Sequence, residues 1–195
     1  MDKPPGRKEL THERIVATAA RAIRRGGFQG VGVADIMKEA GLTHGGFYAH
    51  FASRDALLAE ALACAGDEGA ARIGKAAAAR AAGRSALRSL VDGYLSERHL
   101  TSVENGCPVA ALASEMPRQA PAVRAAAARR VRGLVSQVRH CLAPGAAADG
   151  APAIASQLVG ALQLARALGD NAEGRALLAA ARRALLKHYD TGAPA

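Results

Sequence analysis

Two short helical patterns meet at a single glycine in the stretch from Gly32 to Leu58, and that junction limits what the chain can fold into. From Val33 to Ala40, the residues Ile36, Met37 and Ala40 fall on one side of a helix. Gly41 then supplies a left-handed turn that glycine adopts without the steric cost a side chain brings. Thr43 has the chemistry to cap a second helix from His44 to about Phe51. Phe47 and Phe51 lie four apart and should anchor that helix. Its other side carries Thr43, His44, Gly45, Gly46, Tyr48 and His50. Glycine costs about 1 kcal/mol against alanine inside a helix. Close approach of a ligand or another backbone would offset that cost. The pattern predicts a helix-turn-helix whose second helix enters a DNA groove.

The rest of the chain predicts only helices. Half of its 195 residues are hydrophobic, yet aromatics make up 3% and Trp is absent. Alanine, leucine and arginine dominate, and runs of β-branched residues are missing. The expected class is all-α, with about nine helices. The arm of residues 1–10 is polar and expected to fray; Arg7 and Lys8 in it are the right type to reach a minor groove, with a disordered tail as the plainer alternative. The first helix is expected from Thr11, as N-cap, to Arg25, stopped by Gly26-Gly27. A fourth helix follows Ser53 and runs to about Ala82, with a weak spot at Gly66–Gly69. A fifth is expected from Ser85 to Leu100, a sixth from Val109 to Met116 and a seventh from Pro121 to Leu142. Arg124, Arg129, Arg130, Arg132 and Arg139 of the seventh are expected on solvated faces. After a Gly/Ala/Pro-rich loop, Ala143 to Pro152, an eighth helix (Ala153–Leu168) and a ninth (Glu173–Tyr189) are joined by the turn Gly169-Asp170-Asn171. Both have broad apolar faces, so two such hairpins from two chains suit a four-helix bundle.

The net charge is +9. Basic chains favour polyanions, but Lys and Arg outnumber acids on both sides of residue 55, so charge does not locate a DNA face. No apolar run approaches the roughly 20 residues that span a membrane. The first residues are polar with no signal-peptide core behind them. Cys64, Cys107 and Cys141 show no C-x-x-C spacing, which fits a reducing cytoplasm. No cofactor motif, metal-spaced cluster or catalytic signature is present. The only Glu-x-x-His spacing, Glu9 with His12, lies near the chain's start rather than on a core helix.

Over residues 11–62 the chain resembles the tetracycline-repressor (TetR) family of transcription regulators. The resemblance rests on Val33, Ile36, Ala40, Gly41, Leu42, Thr43, Gly45, Phe47, Tyr48, His50, Phe51, Arg54 and Leu57, with Leu42, Thr43 and Arg54 similar rather than identical in type. The segment Gly106 to Met116 looks like the sixth helix of one subgroup. The resemblance implies an N-terminal DNA-binding domain, residues 1–52, and a C-terminal effector-binding and dimerisation domain, residues 53–195. It implies a homodimer through the eighth and ninth helices and a small-molecule effector enclosed by the fourth to seventh. It also implies a palindromic double-stranded DNA operator, contacted here by Thr43, His44, Gly45, Gly46, Tyr48, His50 and Arg54. Gly32 departs from the family's hydroxyl residue at the start of the second helix, and Gly46 stands where a Ser or Thr is common.

Each role has a plainer counterpart. Thr43 is a phosphate ligand or simply a cap. Tyr48 meets phosphate or a thymine methyl, or is a surface aromatic. His50 and Arg54 pair with phosphates or are solvated; His44 is the candidate for a base edge. Cys107 stands before Pro108 at a helix start, where a thiol can be activated, or is a packed small hydrophobe. Tyr94, His99, Cys107, Leu112, Met116, His140 and Leu162 line an effector pocket or pack the core. Three classes of function stay open: a ligand- or thiol-responsive repressor (or an activator of the same fold), a thiol-dependent enzyme with Cys107 and His99, and a helical interaction protein without DNA binding.

Overall fold

The computed structural model describes residues 6–80, 85–142 and 150–190. Every regular element among them is helical: α1 (Arg7–Gly26), α2 (Val33–Glu39), a 3₁₀ turn (His44–Ala49), α3 (Arg54–Arg80), α4 (Ala86–Tyr94), α5 (Glu97–Thr101), α6 (Pro108–Leu112), α7 (Pro121–His140), α8 (Gly150–Leu168) and α9 (Ala172–Tyr189), with shorter 3₁₀ turns at Val103–Asn105 and Met116–Arg118. The expected all-α class holds. The arm before Gly6, residues 81–84 at the expected end of the long helix, and 143–149 of the expected loop lie outside the described residues.

Helix starts and stops follow side-chain chemistry. Ser85 accepts a bond from the Arg88 amide at 3.0 Å, and Asn171 accepts from the amides of Glu173 and Gly174, each at 3.0 Å. These satisfy first-turn donors that the helix itself leaves unpaired. At the end of α2, Gly41 has φ +70°. The Leu42 amide donates to Met37 at 2.9 Å and the Gly41 amide to Lys38 at 3.0 Å, the paired bonds of a left-handed helix stop. The predicted turn at Gly41 is therefore present.

Several boundaries differ from expectation. α1 begins at Arg7, four residues before the expected Thr11. Thr11 is inside the helix, its hydroxyl donating to the Arg7 carbonyl at 2.8 Å. Lys8 and His12 are thereby fixed in helical register. The second element of the helix-turn-helix is a 3₁₀ turn ending at Ala49, not an α-helix to Phe51. Six residues with two early glycines gain little from α-helical cooperativity. The expected fifth helix is two, because Ser96 breaks it and caps α5 by accepting from the His99 amide at 3.2 Å. α6 ends at Leu112, four residues early. α3 runs unbroken through Gly66, where Arg130 of α7 lies across it. Arg130 is correspondingly half-buried, bonded to Asp67 at 2.6 Å, and not on a solvated face.

One apolar core runs through the molecule. Ile15, Ile23, Phe28, Ile36, Met37, Phe47 and Phe51 close the N-terminal helices over Leu57, Leu58 and Leu62 of α3. Leu90, Val91, Leu112, Val123, Val138, Leu158 and Leu162 continue it. α3 packs along both α1 and α7, and α8 along α9. Polar links reinforce the seam between the N-terminal helices and the rest. Arg24, 2% exposed, donates to the carbonyls of Ala20 (2.9 Å), Ala65 (3.3 Å) and Gly106 (3.3 Å). The Phe28 amide donates to Glu115 at 2.9 Å. Such a buried guanidinium persists only because its donors are met.

Candidate nucleic-acid interface and effector site

The turn His44–Ala49 is held from beneath by Phe47, stacked on Phe51 with ring centroids 5.5 Å apart. Phe51 in turn stacks on His12 of α1 at 4.4 Å. With its apolar side anchored, the turn presents Thr43, His44, Gly45 and Tyr48 to solvent. Tyr48 is 74% exposed, far beyond what a packing aromatic shows, and it touches the Phe47 ring edge-on at 5.2 Å. Thr43 occupies the cap position with extended backbone, but its side chain makes no capping bond. A methyl group built on Gly45 would meet nothing within 4 Å, and one on Gly46 would make ordinary contacts with Met37 and Thr43. The chain's own packing therefore requires neither glycine.

His50 closes the turn. Its Nδ1 is buried and has no partner. Burial, then the positive charge of His12 and of Lys8, hold its pKa below the ordinary histidine value. A cleft of about 430 Å³ opens here, lined by Gly6, Lys8, Glu9, His12, Ala49 and His50. His12 is also bonded to Glu60 of α3 at 2.7 Å. Lys8 was expected in a frayed arm and His12 was not expected at the site; the start of α1 at Arg7 brings both to the cleft. Arg54 is placed differently from the other expected contacts. Its Nη2 donates to the Phe28 carbonyl and, at 3.2 Å, to that of Val31, fastening the α1–α2 loop to the start of α3. Gly32 begins α2 without a side-chain cap.

The expected effector residues divide. Tyr94, Leu112 and Leu162 are fully buried, Cys107 and Met116 nearly so. His99 is half-exposed and joins them: its Nδ1–H donates to the Tyr94 carbonyl at 2.7 Å, and its Nε2 accepts from the Cys107 amide at 2.9 Å. Its ring meets the Tyr94 ring edge-on at 4.7 Å. His140 stands apart, exposed at the end of α7, with Nδ1 donating to the Ser136 carbonyl at 2.6 Å. Arg166 of α8, missed from sequence, belongs to the cluster. Its Nη2 donates to the His99 carbonyl at 2.7 Å and its Nε to that of Leu100 at 3.4 Å. No ordering of the chain's residues points to Arg166, since it bonds across more than sixty positions.

Comparison with known proteins places this geometry. The family model described as bacterial regulatory proteins, tetR family, matches residues 15–61. A second, described as tetracyclin repressor-like, C-terminal domain, matches residues 83–185. An uncharacterized HTH-type transcriptional regulator of Mycobacterium tuberculosis is 33% identical over 169 residues, covering 81% of this chain and 85% of its own.

The chain belongs to the TetR family.

Solved structures agree on the fold of this TetR-family regulator. A TetR transcriptional regulator from Chloroflexus aurantiacus superposes with a TM-score of 0.74 at 23% identity, covering 94% of this chain and 96% of the other. Escherichia coli NemR in its reduced form gives 0.73 at 19% identity, covering 95% and 99%. A TetR regulator from Legionella pneumophila gives 0.73 at 20%, covering 97% and 100%. The family consists of DNA-binding transcription regulators and not enzymes. The geometry agrees for Cys107 and His99: both imidazole nitrogens are committed to backbone groups, so His99 is not poised to take a proton from the thiol. No helix among the described residues is long and apolar enough to cross a membrane.

Proposed function

We propose that this regulator is a repressor that binds a palindromic operator as a homodimer and leaves it when a small molecule binds, or a thiol is modified, in the C-terminal part of the chain. Residues 1–52 act as the DNA-binding unit and 53–195 as the effector-binding and dimerisation unit. The observation that carries the DNA reading is Tyr48: a tyrosine exposed to 74%, on a turn pinned from below by Phe47, beside two glycines that nothing in the chain crowds. That surface suits close approach of a duplex. Thr43, His44, Gly45, Gly46 and Tyr48 face the groove, while His50 with Lys8 holds phosphate at the cleft. Arg54 acts chiefly by fixing the loop behind the turn.

Dimerisation through α8 and α9 is supported by Leu164 and Leu168, one helical turn apart and exposed to 60% and 37%. Covering them in a four-helix bundle sets the two recognition turns about one turn of DNA apart. Cys107 is the thiol for modification, with Tyr94, His99 and Arg166 around it. A regulator of this kind acts in the cytoplasm.

Gel shift with the DNA upstream of the chain's own gene, followed by selection from a random pool, tests the reading. A symmetric site bound by wild type and lost in Tyr48→Ala supports it; no shift at low salt rejects it. Leu164→Glu should turn a dimer into a monomer by light scattering.

A further inference from the structure

We propose that Tyr94 and Arg166 form the recognition end of an effector site for a small aliphatic carboxylate. This rests on the ligand-responsive reading above and names its ligand class.

The Tyr94 hydroxyl is fully buried and makes no well-directed hydrogen bond. Burial, and after it the neighbouring Cys107 thiol, hold the phenol well above its ordinary pKa, so it stays a donor. Arg166 Nη1 is likewise buried without a partner. Its other nitrogens cap the last carbonyls of α5, at His99 and Leu100, which explains where Arg166 lies but leaves Nη1 unused. No carboxylate pairs with Arg166 among the described residues. A half-buried guanidinium without a counter-ion, beside a phenol whose nearest acceptor is the weak Cys107 thiol, lacks two strong hydrogen-bond acceptors and one negative charge. A carboxylate supplies all three, and guanidinium with carboxylate is the stronger kind of charge-assisted pair. The Tyr94 ring meets the His99 ring at 4.7 Å, the Cys107 amide bonds that ring at 2.9 Å and Arg166 Nη2 bonds the His99 carbonyl at 2.7 Å, so the groups gather around His99. Gly106 keeps the cluster tight: a Cβ there would come within 2.8 Å of His99 Nε2 and 2.9 Å of Arg166 Nη2. Leu162, one turn before Arg166 on α8 and fully buried, gives the site an apolar wall. His99 and Arg166, both half-exposed, form its side towards solvent.

The chain has three tyrosines and no Trp. In a Tyr48→Phe, Tyr189→Phe background, Tyr94 alone gives the emission. Titration with butyrate should change that emission saturably, and the neutral isostere butyramide should not. Arg166→Gln should weaken butyrate binding about tenfold or more. Tyr94→Phe removes a single oxygen and should reduce the butyrate-induced rise in Tm severalfold in concentration dependence. Equal responses to butyrate and butyramide, or undiminished binding by both variants, overturn the proposal. Operator release by the wild-type chain separates the two readings. Butyrate that binds through Arg166 without releasing operator upholds the carboxylate site and removes the ligand-responsive reading. Release by a neutral compound, with butyrate not bound, does the reverse.

Discussion

The backbone amide of Cys107 donates to Nε2 of His99 at 2.9 Å. Because Nδ1–H of the same ring donates to the Tyr94 carbonyl at 2.7 Å, the imidazole is a neutral bridge between the end of α4 and the start of α6. It ties the backbone of Cys107 to that of Tyr94. Gly106, next to Cys107, offers its carbonyl to Arg24 of α1 at 3.3 Å. The 99–107 segment is thereby bonded to the helix that carries His12 and backs the recognition turn.

Replacing His99 by alanine leaves the Cys107 amide and the Tyr94 carbonyl without that partner. A buried group left unsatisfied costs about 1–3 kcal/mol. His99→Ala should lower the urea midpoint accordingly, while His99→Gln recovers part of the loss. An unchanged midpoint in the alanine variant would show that the bridge contributes nothing to folding.

Arg54 and Tyr48 should separate cleanly in a paired measurement. Arg54 bonds two loop carbonyls, so Arg54→Ala should cost about 1–2 kcal/mol of stability along with operator affinity, the figure being reduced for its partial exposure. Tyr48 contacts little beyond Phe47, and Tyr48→Ala should leave stability within about 0.5 kcal/mol while operator binding falls. Urea unfolding and gel shift on both variants check this. Equal stability in the two would remove the structural role given to Arg54.

Local features were legible in the sequence and long-range ones were not. The turn bonds around Gly41 and the Phe47–Phe51 stack join residues within five positions, so spacing alone located the turn and its anchors. The start of a helix at Ser85 was legible from side-chain type, whereas Asn171 was expected only in a turn and proves to cap α9. Ser96 carried the same signal, but the apolar run from Leu87 to Leu95 masked it and one helix was expected where two exist. The start of α1 was misplaced because Thr11 is a good cap by type, whereas here its hydroxyl turns back to Arg7. Arg166 with His99, His12 with Glu60 and Arg24 with Gly106 each join positions some fifty or more apart. Nothing in local periodicity encodes such pairs, which appear only once the helices are packed.

The pH dependence of operator binding follows from His50. Its pKa is depressed in the free protein, chiefly by burial and then by His12 and Lys8. The unfolded chain then takes a proton more readily than the folded one. This group contributes no pH-dependent destabilisation well above the unfolded value, and it costs stability as pH falls below that value. If an operator phosphate lies against the His50 ring at the cleft, it favours the protonated ring and binding takes up a proton. Operator affinity should rise as pH falls from about 8 to about 6. His50→Asn should flatten that rise, and a slope unchanged by the substitution would assign it elsewhere.

The two glycines of the recognition turn give the sharpest separation of folding from function. Among the described residues, positive φ is confined to Gly27, Gly41 and Gly169, so neither Gly45 nor Gly46 needs glycine's backbone freedom. Neither would clash with the chain if given a methyl group. Alanine at either position should therefore leave Tm unchanged or raise stability by up to about 1 kcal/mol, through propensity and a less flexible unfolded state. If a duplex approaches this backbone closely, the same methyl occupies space the DNA needs. Operator affinity should then fall about tenfold, a loss of about 1.4 kcal/mol. Melting curves and gel shifts on Gly45→Ala and Gly46→Ala give both numbers. Full operator affinity in both variants would mean that the duplex keeps its distance from the turn, and that contact runs through Tyr48, His44 and the Lys8–His50 cleft alone.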